Sequence, residues 1–135
     1  MKFHCCDLRR LDVLRLNGTA NAIDFLEVLD NARPPGAPRQ QTLLVRLLRP
    51  GFVLTPDNIR ISGGERVTRI NVVWCATANA LPPQAEPGLV ATVGDLARTL
   101  VVRTDSSGDF STYRLSIVAN SGSSNPPAGF DPRLS

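Results

Sequence analysis

Apolar residues in this chain fall at every second position in short runs, and a proline, a glycine pair or a polar turn closes each run early. Alternation of that kind marks a half-buried strand, because successive side chains of an extended chain point to opposite faces. In 22–29, Ile23, Phe25 and Leu29 form the apolar side. In 41–49, Leu43, Val45 and Leu47 face one way and Arg46 the other, until Pro50-Gly51 ends the run. Thr55-Pro56-Asp57 turns the chain into 58–62, where Ile59 and Ile61 alternate with Arg60, and Gly63-Gly64 turns it again. The run 67–75 places Ile70, Val72 and Trp74 on one face. Residues 89–93 and 99–103 read as two further short strands around a turn at 95–98. After a hairpin loop over Asp105-Ser106-Ser107-Gly108-Asp109, the run 110–119 sets Tyr113, Leu115 and Ile117 against Thr112, Arg114 and Ser116.

One segment departs from this period. In 7–16, Leu8, Leu11 and Leu14 lie three apart, with Asp7 as N-cap and Asn17-Gly18 as a stop. The spacing predicts a short amphipathic helix, or a strand if Leu11, Val13 and Leu14 pack otherwise. The rest predicts an all-β domain, an antiparallel immunoglobulin/fibronectin-III-like β-sandwich of about seven to eight strands. The spacing from Asp109 to Tyr113 matches a tyrosine corner, Leu115 falls where antibody domains carry a disulfide cysteine, and Trp74 suits the buried core aromatic. The chain of 135 residues, with Gly 10 and Pro 11, has the size of one domain. It divides into an N-terminal segment with the helix (1–20), the sandwich (21–119), and a linker-like tail (120–135) with Pro126-Pro127 and Phe130. Proline-rich loops lie at 30–39 and 79–88.

Composition narrows the function classes. No apolar run approaches the roughly 20 residues of a membrane span, and Asp7, Arg9, Arg10 and Asp12 break any export signal after Lys2. The net charge of +3 comes from 14 Arg and one Lys against 12 acids, scattered rather than gathered on a run. With five Phe, one Trp and one Tyr there are few rings for base stacking, so nucleic acid is not an expected partner. Cys5, Cys6 and Cys75 form no even framework and a vicinal disulfide is strained, which predicts reduced thiols and a cytoplasmic setting.

No catalytic constellation emerges. The single histidine, His4, adjoins Cys5 in sequence, and neighbours rarely reach nucleophile–base geometry. His4, Cys5, Cys6 and Cys75 lack the spacing of a zinc site, and Asp105 and Asp109 read as turn formers rather than calcium ligands. Three Glu and few aromatics disfavour a sugar-cleaving cleft, and Ser62-Gly63-Gly64-Glu65 lacks the ending of a phosphate loop. The expected site inventory is therefore no catalytic residue, no metal and no cofactor, which leaves a scaffold or a binding module.

Four stretches in order are more specific. They are Cys5-Cys6-Asp7 with the arginine-rich turn after it, Asn21-Ala22-Ile23-Asp24-Phe25-Leu26-Glu27-Val28, Gly108-Asp109-Phe110-Ser111-Thr112-Tyr113-Arg114-Leu115, and Pro126-Pro127-Ala128-Gly129-Phe130-Asp131-Pro132-Arg133-Leu134-Ser135. Together they resemble the N-terminal region of baseplate assembly proteins of phage-tail-like contractile injection systems, within the baseplate-J-like wedge proteins. The resemblance spans essentially the whole chain. In that family the region opens a much longer polypeptide, so it implies a domain of a structural component rather than an enzyme. It implies other baseplate proteins (wedge, hub or sheath-proximal) as partners, and a place in cytoplasmically assembled particles. Candidate contacts are the loop 33–39 with Arg33, the arginines expected to be exposed at Arg46, Arg60 and Arg114, and the Phe130 tail. The competing expectation is a ligand- or carbohydrate-binding sandwich, which would need an exposed aromatic in a concave patch, with Trp74 as its candidate.

Overall fold

The computed structural model describes residues 2–4, 21–29, 41–64, 70–86, 88–90, 93–106, 113–120, 127 and 130. Among these are seven strands: β1 (Lys2–His4), β2 (Ile23–Leu29), β3 (Thr42–Leu47), β4 (Ile59–Gly63), β5 (Val72–Thr77), β6 (Thr99–Thr104) and β7 (Tyr113–Ile117). Two single 3-10 turns, Pro56–Asn58 and Leu96–Arg98, lead directly into β4 and β6. Every paired neighbour is antiparallel. Five strands form one sheet in the order β1-β2-β3-β6-β5, and β4 pairs with β7 as a separate ribbon.

The period-two pattern explains how the layers meet. On one face of the sheet, Val45 and Leu47 of β3 and Leu100 and Val102 of β6 pack against Ile59 and Ile117 of the ribbon. On the other, Leu29, Leu44, Trp74 and Val101 are covered by an irregular strap, from which Ala78, Leu81, Ala85, Leu89, Val90 and Val93 point down. The sheet is thus covered on both sides. That is why all six residues of β6, which lies between β3 and β5, are buried. Asn21 fixes the start of β2 to the end of β3. Its Oδ1 accepts from the amides of Ala22 and Arg49, and its Nδ2 donates to the Arg49 carbonyl, each at 3.0 Å.

The strand expectations hold for β2, β3, β4, β6 and β7 to within a few residues at each end. Two register shifts alter the faces. Between Ile23 and Phe25 the pairing slips, so Ile23 joins Leu26 under the ribbon while Phe25 lies on the strap side, and the two do not share the apolar face expected for them. Between Val72 and Trp74 a second slip leaves Val73 58% exposed and puts Val72 and Trp74 on opposite faces rather than on one. An extra residue in one strand inverts the alternation beyond it. Leu89 and Val90, expected to begin a strand over 89–93, lie in a turn within the strap. No α-helix occurs among the described residues, and the helix expected at 7–16 lies outside them. The division is five strands and two, where the immunoglobulin pattern divides seven strands four and three. Tyr113 opens β7 opposite Gly63, whose φ of 108° only glycine adopts readily; Asp109 of the expected tyrosine corner lies outside the described residues.

Candidate interaction surfaces

Arg103 sits at an inward position of β6, where an apolar residue would be routine, and is 8% exposed. A guanidinium there needs partners for its donors. Its Nη1 and Nη2 donate to Oε1 and Oε2 of Glu86 in the strap at 3.0 and 2.5 Å, and its Nε donates to the Thr42 hydroxyl at 3.0 Å. The guanidinium carbon lies 5.3 Å from the centre of the Trp74 ring. The forked contact with Arg103 holds the Glu86 carboxyl below its ordinary value. This cluster fastens the strap to the sheet, and its groups are consumed by one another. Sequence reasoning did not single it out.

The arginines expected at an interface do not gather on one surface. Arg46 lies on the strap side and is half-buried rather than exposed. Its guanidinium carbon lies 5.3 Å from the centre of the Phe25 ring, and its Nε donates to the Thr99 hydroxyl at 3.1 Å. The same hydroxyl donates to the Asp95 carbonyl at 2.7 Å, and the Asp95 carboxylate holds Arg98 at 2.6 Å. Arg98 also keeps the Asp95 carboxyl below its usual range.

Arg60 and Arg114 do fall together. In the ribbon, Arg60 stands opposite Ser116 and Ser62 opposite Arg114, while Ile59, Leu115 and Ile117 pack inward. The outward face therefore carries two arginines in diagonal positions between two serines. Arg114 is exposed; Arg60 is half-buried rather than exposed and lines an open cleft of about 320 Å³ with Asp57, Asn71 and Ile70. Phe130 is half-buried against the ribbon-side core, and its main chain bridges Asn21 in parallel. Arg33 and the loop around it lie outside the described residues.

No group of three or more His, Cys, Asp or Glu side chains close enough to hold a metal occurs among the described residues. The Asp105 carboxylate accepts from the Asn71 amide at 3.0 Å and from its side chain at 3.2 Å, which lowers its pKa and ties the end of β6 to the approach to β5. Burial pushes the Cys75 thiol up to about 11, so it is a poor nucleophile near neutrality. Cys5, Cys6 and Asp109 lie outside the described residues, and His4 ends β1. Trp74 is 7% exposed, with Arg103 over its ring, as befits the core aromatic. No described helix is long and apolar enough to cross a membrane.

Over residues 1–135 the chain matches the family model of the phage baseplate assembly protein, N-terminal domain. No curated protein and no solved structure matches it.

Proposed function

The chain belongs to the family of phage baseplate assembly protein N-terminal domains, and from that premise we propose that it is a structural β-domain of the baseplate of a phage-tail-like contractile injection system, working through protein–protein contacts. The match over residues 1–135 carries this reading. The arrangement of the described residues supports it, since their polar clusters fasten the fold together instead of converging on a substrate.

The contact surface on this reading is the outward face of the ribbon. Arg60, Ser62, Arg114 and Ser116 present cations and hydroxyls there, and β4 and β7 contribute no carboxylate. Such a face suits an acidic patch on a neighbouring wedge, hub or sheath-proximal protein, where opposite charge speeds encounter and sets register. Arg46 lies on the far side of the sheet and would serve a different neighbour. The carbohydrate-binding alternative loses its candidate platform, because Trp74 is inside the domain.

The test is Arg114→Glu in the full chain, followed by sedimentation of assembled particles. Association with particles is expected to fall, with the melting temperature within a few degrees of the parent, since Arg114 is exposed. Undiminished association, or loss of folding, would remove Arg114 from the interface. A native protein that never sediments with particles would overturn the baseplate reading itself.

A further inference from the structure

We propose that the strap formed by residues 79–86, 88–90 and 93 opens from the sheet as one unit while the strands stay paired, and that the Arg103–Glu86 pair is its latch.

The reason lies in how the two covers of the sheet are held. The ribbon is a hydrogen-bonded pair, and the end of β7 is sewn to the 3-10 turn before β4. The Val118 amide donates to the Asn58 carbonyl at 2.7 Å, and the Asn58 side chain donates to the carbonyls of Val118 and Ala119 at 2.9 and 3.1 Å. Among its described residues the strap has nothing comparable. Its described main-chain bonds are local turns: Ala80 to Thr77, Ala85 to Pro82, Leu89 to Glu86 and Val93 to Val90. Among the described residues only the start of the strap has an amide that reaches across, from Ala78 to the Thr99 carbonyl at 2.9 Å. Between its ends the described residues of the strap are held by apolar side chains and by the forked pair between Glu86 and Arg103.

Beyond Ala78 the described residues of the strap have no ladder bonds to the sheet, so their lifting breaks no main-chain pairing seen there and their local turns travel with them. Such segments form the low-stability, separately opening units of a domain. The lifted state would uncover the faces of Leu44, Trp74 and Val101, which the strap otherwise keeps from water. Glu86 sits near the middle of the strap, so a contact at that point resists lifting along the whole segment. The device is independent of the interface proposed for the ribbon, which lies on the other side of the sheet.

Hydrogen exchange of the full chain, parent against Glu86→Gln, tests this. In the parent, the amides of Ala85, Leu89 and Val93 are expected to exchange through a common opening, faster than those of Val101 and Val102 in β6. In E86Q the strap amides are expected to accelerate by roughly 10-fold or more, the scale of losing a hydrogen bond to a charged partner, with the β6 amides unchanged. Acrylamide quenching of Trp74, the single tryptophan, is expected to rise in parallel. Equal acceleration of strap and β6 amides would overturn the proposal by making strap and sheet one cooperative unit. No acceleration in E86Q would overturn it by removing Glu86 as the latch.

Discussion

Replacing Arg103 by alanine takes a guanidinium off the Trp74 ring and leaves the Glu86 carboxylate and the Thr42 hydroxyl facing the space it filled. Arg103 is buried and Glu86 half-buried, so the loss is mainly that of hydrogen bonds to a charged partner. Arg103→Ala is expected to lower stability by about 2 kcal/mol in chemical denaturation. The pH dependence provides a check on the cause. Glu86 has a folded pKa below its ordinary 4.5, so its contribution is full above that value and is lost as pH falls through the lowered one. The gap between parent and variant should therefore narrow in acid. Little of this was legible in the sequence. Arg103 and Glu86 are 17 residues apart, with Glu86 inside a proline-rich loop, and their pairing is made only when the strap lies down. The one available signal was a basic residue at an inward position of the run Thr99-Leu100-Val101-Val102, which the period-two reading treated as the end of the strand.

Elements were easier to read than faces. Alternating apolar residues and turn chemistry are local properties, so β2, β3, β4, β6 and β7 were legible. The two register slips were not, because a bulge is a property of a pair of strands and no composition marks Asp24 or Val73 as the extra residue. The strap misled for a related reason. Leu89 and Val90 are as apolar as a strand, yet they turn and lay their side chains on a sheet already formed. At the element scale the clearest test concerns Asn58. This residue accepts from the Thr55 amide at 2.9 Å and clamps the chain leaving β7, so it joins the start of β4 to the end of β7. Asn58→Ala is expected to cost about 1–2 kcal/mol, since it removes a turn-capping side chain and leaves carbonyls unmet. Because this clamp serves the ribbon alone, the strap amides in hydrogen exchange should accelerate no more than the rest of the molecule.

At the scale of the whole molecule, the sheet separates two surfaces with different chemistry. The ribbon offers arginines and serines on a hydrogen-bonded pair of strands, whereas the strap side is fastened by side chains. The candidate contacts read from the sequence divided along that line, with Arg60 and Arg114 on one side and Arg46 on the other, because a linear reading cannot tell which strands leave the sheet to form a separate layer. That topology also governs how the molecule comes into being. Thr42 and Arg103, opposite one another at the centre of the sheet, are 61 residues apart in sequence. Contacts of such separation must close a long loop before they return any stabilisation, which slows folding. Refolding by stopped-flow Trp74 fluorescence is expected to take milliseconds to seconds rather than microseconds. A nascent chain would carry β2 and β3 paired but apolar on both faces until β6 had left the ribosome. For that interval neither cover has a complete sheet to lie on, and the half-made domain is at its most vulnerable to aggregation.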